Sequence, residues 1–245
     1  RNTLDAAAIQ KQRPGYPWLS NIYNVAFDPR VPGRIYAATS AMHDIPFYTY
    51  RERMHEAGGG VVRSDDGGKT WSDDVTVARS DRFQLCEASI LPLGGGVLAA
   101  FLRENSGLGY DCKKVLSRDN GESWGEITDF PLPGCHRPVA GFLRDGRIMI
   151  TYRFLQGGRG WLGSWCQNFF AALTDRESVL SEKREEASAR ILPVDFDRSP
   201  KSDLGYSGWV QFPDGELYIV NYIVDDAMDK GQIRGYSMFP DEFLQ

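Results

Sequence analysis

Short runs of apolar or alternating residues recur along the chain, and turns rich in glycine and aspartate separate them. Runs of this length with a period of two predict β-strands, and a Gly-Gly or Asp-Gly pair between two runs predicts a hairpin. Three strands form one module, and the module recurs along the chain. The predicted strands are 21–28, 34–40 and 59–64; 85–91, 97–103 and 113–117; 137–143, 147–153 and 167–174; and 206–212, 216–223 and 232–238.

Repeated modules of short strands with tight turns predict an all-β fold, a β-propeller of four-stranded antiparallel blades. We interpret residues 1–245 as a single domain, preceded within residues 1–20 by an irregular lead in which Pro14 and Pro17 stop regular structure. Beyond the lead, a helical pattern is confined to 182–190. Residues 183–198 are also open to interpretation as a fifth, degenerate blade, so four or five blades are readable.

One eight-residue turn occurs twice, as Ser64-Asp65-Asp66-Gly67-Gly68-Lys69-Thr70-Trp71 and as Ser117-Arg118-Asp119-Asn120-Gly121-Glu122-Ser123-Trp124. The aspartate at its third position can accept hydrogen bonds from the backbone of its own turn, and the glycine at its fifth permits a positive φ. We therefore expect a hairpin turn that locks itself. A calcium loop is excluded because Val77 stands where the closing carboxylate is needed. Residues 175–178 are interpreted as a decayed third copy.

The composition of the chain disfavours some classes of binding partner. A net charge of −5 gives no electrostatic reason to expect nucleic acid or an anionic membrane as partner. No run of 18 apolar residues and no signal-like stretch occurs, so no membrane span is expected, and any export signal has been removed or never existed. The cysteines lack any CxxC pair and are predicted to be buried thiols; they are Cys86, Cys112, Cys135 and Cys166.

Strand phase predicts a polar cluster at one end of the modules. In an antiparallel blade, the start of the first strand and the end of the second lie at the same end, opposite their hairpin turn. Counted from the turn glycines, Glu87, Arg137 and Tyr206 occupy equivalent positions at the starts of innermost strands. Arg103 and Arg153 reach the same end from the second strands.

The repeated turn resembles the Asp box, or BNR repeat, of sialidase-like (neuraminidase) β-propellers, which have six blades and carry the box as a structural turn far from the active site. The segment 204–209, followed by the turn Pro213-Asp214-Gly215, resembles the family segment that carries a tyrosine nucleophile. The spacing of Glu87 and Arg103 resembles that of the family's partner glutamate and one arginine of its triad. The resemblance implies Tyr206 as nucleophile, Glu87 as its base, and Asp44 as acid and base.

These roles suit an exo-acting glycosidase that removes a terminal acidic sugar, sialic acid above all, from a glycan or glycoconjugate. Arginines hold a carboxylate bidentately, and a tyrosine activated by a glutamate avoids the repulsion that a carboxylate nucleophile would meet beside it. The predicted substrate-binding residues are Arg103, Arg137, Arg153, His136 and Arg159. No cofactor and no metal is expected, and the resemblance implies a secreted or extracytoplasmic location.

The chain departs from the family pattern at two of the triad arginines. The first inner strand begins Ser20-Asn21-Ile22-Tyr23-Asn24 without arginine, and Cys166-Gln167-Asn168 stands where the third arginine is expected. Two other functions therefore stay open. One is a non-catalytic propeller that binds a carbohydrate or a protein, and the other is a hydrolase of a different glycan.

Overall fold

The computed structural model describes residues 21–40, 59–106, 108–157, 165–227 and 230–244. Asp44 and Arg159 lie outside them. The strands are β1 (Asn21–Phe27), β2 (Ile35–Ser40), β3 (Gly59–Ser64), β4 (Leu85–Gly94), β5 (Val97–Glu104), β6 (Asp111–Ser117), β7 (Thr128–Pro133), β8 (Cys135–Phe142), β9 (Ile148–Gly157), β10 (Trp165–Thr174), β11 (Arg190–Phe196), β12 (Leu204–Gln211), β13 (Leu217–Ile223) and β14 (Gln232–Met238). The helix α1 (Arg176–Leu180) and 3₁₀ turns at Arg184–Glu186, Asp225–Ala227 and Pro240–Leu244 complete the described elements.

The strands form antiparallel sheets in which neighbours along the chain pair with one another. Their orders are β1-β2-β3, β4-β5-β6-β7, β8-β9-β10-β11 and β12-β13-β14. The chain divides into two compact units, one made of Arg1–Leu102 with Lys114–Ile127 and the other of Arg103–Lys113 with Thr128–Gln245. The first sheet lies in the first unit and the last two sheets lie in the second. The predicted all-β fold class, with antiparallel propeller blades, is confirmed.

Sequence reasoning missed two outer strands, β7 and β11. The burial of β11 follows no clean alternation, and Pro193 within it marks an edge strand. The helix predicted at 182–190 is wrong, because only a 3₁₀ turn forms at Arg184–Glu186 and β11 starts at Arg190. The fifth blade at 183–198 is also wrong, because β11 pairs with β10 as the outer strand of the third sheet.

The third copy of the turn, predicted at 175–178, is wrong as well. Asp175 instead caps α1, because its side chain accepts a hydrogen bond from the backbone N–H of Ser178. Without the glycine at the fifth position, this aspartate starts a helix rather than closing a hairpin.

Each unit has an apolar core between facing sheets. In the second unit the third and fourth sheets pack together, and the indole Nε1 of Trp209 on β12 donates to the carbonyl oxygen of Val139 on β8 at 3.2 Å. The buried residues of this core are Leu143, Met149, Phe169, Ala171, Leu173, Leu204, Leu217, Ile219, Ile223 and Met238. In the first unit they include Tyr36, Ala38, Val61, Ile90, Leu98, Ala100 and Val115.

The two repeated turns share the hydrogen bonds that a serine hydroxyl and a backbone N–H donate to their aspartates. In the first, Ser64 Oγ donates to Asp66 Oδ1 at 2.8 Å, and the backbone N–H of Thr70 donates to the same oxygen at 2.9 Å. In the second, Ser117 Oγ and the backbone N–H of Ser123 donate to Asp119 Oδ1 at 2.8 and 2.9 Å. Gly68 and Gly121 have φ of +88° and +85°. The expected self-locking turn is confirmed at both places.

Cys86, Cys112 and Cys135 are buried and free, as predicted; the side chain of Cys166 is not among those described. No helix in the described part of the chain combines the length and apolar character needed to cross a bilayer.

Candidate functional site

The starts of three inner strands share an unusual backbone conformation. Glu87, Arg137 and Tyr206 have φ of 45°, 52° and 54°, and each is the third residue of its strand. The left-handed region is uncommon for residues other than glycine and costs about 1–3 kcal/mol each. Arg137 and Tyr206 also lie in register shifts of the β-bulge kind, which re-aim side chains. These are the positions that strand phase singled out.

Glu87 belongs to the first unit and is buried, with 1% of its surface exposed. A carboxylate removed from water needs compensating interactions, which suits a residue with a chemical role or an internal ion pair. The remaining described candidates belong to the second unit.

Tyr206 has a cation and a second aromatic ring as neighbours. The guanidinium carbon of Arg137 lies 5.1 Å from the centroid of the Tyr206 ring, a cation–π contact. On Tyr222 a nearly parallel ring lies 6.2 Å from that of Tyr206, at an interplanar angle of 28°. Tyr206 keeps 40% of its surface exposed. The phenol therefore contacts two neighbouring side chains and still reaches solvent.

Arg153 lies in the middle of β9, opposite His136 of β8 in the strand register. The residue is 6% exposed, and its Nη1 donates to Gln167 Oε1 at 3.2 Å, to Asp203 Oδ1 at 3.2 Å and to the carbonyl oxygen of Leu204 at 2.9 Å. This nitrogen is committed to the protein. The structure therefore places Arg153 as a tie between β9, β10 and the start of β12.

Arg153 feels the charges of a second arginine, Arg103, and of its ion-pair partner Asp203. Burial lowers the pKa of Arg153, and the nearby charge of Arg103 lowers it further. Like charges held together favour the approach of an anion, because an anion would offset their repulsion. Arg137 adds a third guanidinium to the same unit, stacked on Tyr206.

Asp203 joins the arginine to the second aromatic ring. Its Oδ1 accepts from Arg153 Nη1 and also from the hydroxyl of Tyr222 at 2.8 Å. Burial raises the pKa of Tyr222, so its hydroxyl keeps the proton that it donates to Asp203. The sequence did not point to Asp203 or Gln167 as site residues, because neither belongs to a motif. A single sequence feature could have indicated Asp203, which directly precedes the segment 204–209 that carries Tyr206.

The structure thus groups Arg103, Arg137, Arg153 and Tyr206 in the second unit, with the buried His136 beside Arg153 in register. Glu104, which follows Arg103, accepts hydrogen bonds from the backbone N–H and the hydroxyl of Ser106.

No protein-family model matches the chain, and no curated protein sequence matches it. Solved structures do. A protein of unknown function from Dyadobacter fermentans is 23% identical, with a TM-score of 0.66 over 86% of this chain and 51% of its own. An intramolecular trans-sialidase from Ruminococcus gnavus is 19% identical, with a TM-score of 0.58 over 88% of this chain and 42% of its own. An endo-arabinase from Bacteroides thetaiotaomicron is 12% identical, with a TM-score of 0.56 over 90% of this chain and 75% of its own.

These likenesses show the fold, at sequence identities too low to carry an activity. The chain spans about half, or less, of the length of the first two structures. Its fold is the one that sialidase-type and other glycan-active propeller-like proteins share.

Proposed function

We propose that this protein is a sialidase-like glycoside hydrolase that removes a terminal acidic sugar, sialic acid above all, from glycans. The observation that carries the proposal is the grouping in one unit of a solvent-reaching tyrosine and three arginines. Tyr206 is stacked under Arg137, and the charges of Arg103 and Arg153 act on each other beside it. The glycan-active fold supports the same class of substrate.

In the proposed reaction Tyr206 attacks the anomeric carbon while the glycosidic bond breaks. Glu87 takes the phenol proton, and Asp44 protonates the leaving oxygen. Water then attacks the anomeric carbon and loses a proton to Asp44 while the bond from that carbon to Tyr206 Oη breaks, and Glu87 returns its proton to Tyr206 Oη. The roles of Glu87 and Asp44 rest on strand phase and on the family resemblance.

A tyrosine nucleophile suits an anionic sugar for an electrostatic reason. The anomeric carbon of sialic acid carries a carboxylate, which would repel an ionised aspartate or glutamate. Arg103 and Arg137 supply the opposite charge and hold the carboxylate while the neutral phenol approaches. Arg153 contributes its charge to the same site.

The test is hydrolysis of a panel of chromogenic glycosides, sialoside and arabinoside included. We expect turnover of the sialoside, a loss of at least about a thousandfold in Tyr206→Phe and Glu87→Gln, and melting temperatures near that of the wild type. Tyr218→Phe is the matched control, because Tyr218 lies in the same sheet and is exposed to a similar extent, 42% against 40%. Sialoside turnover that survives in Tyr206→Phe would remove the mechanism.

A second candidate is a hydrolase of a different glycan, and the fold shared with an endo-arabinase favours it. Turnover of another glycoside in the panel would select this candidate. Binding of a glycan without turnover of any panel member would select a non-catalytic binding propeller instead.

A further inference from the structure

Asp203 contacts two side chains of the candidate site at once. One carboxylate oxygen accepts from the hydroxyl of Tyr222 at 2.8 Å and from Nη1 of Arg153 at 3.2 Å. Such bonds to a carboxylate are stronger than those between neutral groups. Tyr222 in turn lies nearly parallel to the ring of Tyr206. The carboxylate therefore controls the orientation of the ring that faces the proposed nucleophile.

The backbone that carries Asp203 is itself clamped by a second aspartate. Asp197 Oδ2 accepts from the backbone N–H of Asp203 at 3.0 Å, and Oδ1 accepts from those of Ser199 and Asp225 at 2.9 and 3.0 Å. The N–H of Val224 also donates to the carbonyl oxygen of Asp203 at 3.1 Å. The turn before β12 is thus tied to the residues that follow β13. Asp203 is anchored to the same two strands that carry Tyr206 and Tyr222.

Gly205 completes the arrangement by bringing the backbone of β12 against Arg153. A β-carbon at this position would lie 3.4 Å from Cβ and 3.6 Å from Nε of Arg153, and the φ of Gly205 is +129°. In the register, Gly205 pairs with Tyr222. Arg153 and Tyr222 therefore both lie against Gly205, the residue that precedes Tyr206.

From this geometry we infer that Asp203 is a positioning residue, which holds Tyr222 and Arg153 in place around Tyr206. The inference rests on the proposed function for its effect on turnover. Asp203→Asn keeps the size of the side chain but removes the charge that both donors share. Arg153 Nη1 retains Gln167 and the carbonyl of Leu204 as acceptors, so the fold is expected to survive.

We expect Asp203→Asn to lower kcat/KM for the sialoside about 10- to 100-fold, since small misplacement of groups around a nucleophile has effects of this size. Tyr222→Phe should act in the same direction, and the two changes combined should cost little more than one, because they break the same contact. Asp203→Glu, which keeps a carboxylate, should restore part of the rate. The control is Asp214→Asn, which alters an exposed aspartate in the hairpin of the same sheet and should leave turnover unchanged.

A second measurement does not depend on hydrolysis. The hydrogen bond to Asp203 raises the pKa of Tyr222, and the charge of Arg153 lowers it. The ring of Tyr206 lies alongside that of Tyr222. Asp203→Asn should therefore move the alkaline titration of one tyrosine, followed by absorbance at 295 nm, to lower pH, and in a Tyr222→Phe background the shift should vanish. An unchanged titration with rates within twofold of the wild type would overturn the inference. If the wild type cleaves no panel glycoside, the proposed function fails, and the titration alone decides whether Asp203 holds Tyr222.

Discussion

Gly141 offers the sharpest test of how the third and fourth sheets are joined. It lies on β8, and a β-carbon there would be 2.6 Å from Cζ2 and 2.9 Å from Cη2 of Trp209 on β12. Carbon atoms pack at about 3.5–4.0 Å, so in Gly141→Ala the indole must retreat by about 1 Å. The indole has little room, because it packs against the core between these sheets.

The expected cost has two parts. The hydrogen bond from Trp209 Nε1 to the carbonyl of Val139 is already 3.2 Å long, and a retreat of this size breaks it at a cost of about 1 kcal/mol. Forcing an extra carbon into a packed contact costs about 1–3 kcal/mol more. We therefore expect Gly141→Ala to lower the free energy of unfolding by about 2–4 kcal/mol.

Urea denaturation followed by circular dichroism measures this free energy. The matched control is Gly208→Ala, which lies beside Trp209 on β12, where a β-carbon would meet only Val220 Cγ2, at 3.9 Å. The control should change stability by less than about 1 kcal/mol. If Gly141→Ala proves as harmless as Gly208→Ala, the indole is not wedged between the sheets as described.

Three further outcomes follow from the structure. Asp119→Ala should cost about 1–2 kcal/mol, measured by urea denaturation, because it leaves the backbone N–H of Ser123 without its acceptor. The hydroxyl of Ser123 holds the pKa of Asp119 at about 2, below its value in the unfolded chain. The stability that Asp119 contributes is therefore complete above about pH 4 and is lost as the pH falls through 2, where the free energies of unfolding of wild type and variant should converge. Asp225→Asn should cost about 1–3 kcal/mol, since Asp225 is a buried carboxylate paired with Arg198 and Arg234, and thermal unfolding at neutral pH would show it. Gly60→Ala should lower the melting temperature, because a β-carbon there would lie 2.2 Å from the carbonyl oxygen of Val75, whereas Gly125→Ala, at 3.4 Å from the nearest atom, should not.

Strand positions were predictable where burial imposes a strong pattern. Leu85–Gly94 is buried along almost its whole length, and its apolar run ends at glycines that mark the turn. The outer strands Thr128–Pro133 and Arg190–Phe196 were missed because they are only partly buried and contain prolines. An outer strand is held mainly by backbone hydrogen bonds to its neighbour, and these leave little trace in the side-chain pattern.

Strand phase predicts the part of the candidate site that lies at the starts of the inner strands. Counting from hairpin glycines finds Glu87, Arg137 and Tyr206, because equivalent turns fix equivalent strand starts. Asp203 was not predictable in this way. Its partners, Arg153 and Tyr222, belong to different sheets, and only the packing of those sheets brings them to one carboxylate.

Glu87, Arg137 and Tyr206 share a left-handed backbone conformation, and the strain that this conformation stores can be measured. Each left-handed residue costs about 1–3 kcal/mol, which is large against the 5–15 kcal/mol that separates a folded domain from its unfolded chain. Strain of this kind is kept where it aims a side chain. If Tyr206 is strained, Tyr206→Gly should be more stable than Tyr206→Ala by about 1 kcal/mol, although glycine in a strand is ordinarily the less stable of the two.

Comparing glycine with alanine at one position cancels the loss of the phenol, its cation–π contact and its buried area. What remains is the difference between a residue that enters the left-handed region freely and one that does not. Tyr218, on the neighbouring strand β13 of the same sheet and not among the residues with positive φ, supplies the reference pair, in which alanine should be the more stable by about 0.5–1 kcal/mol. The reversal should appear at Tyr206 and again at Arg137 in urea denaturation. If the alanine variant is more stable than the glycine variant at Tyr206 and Arg137, as it should be at Tyr218, the left-handed backbone stores no strain. The inference that this strain aims Tyr206 and Arg137 then loses its energetic basis.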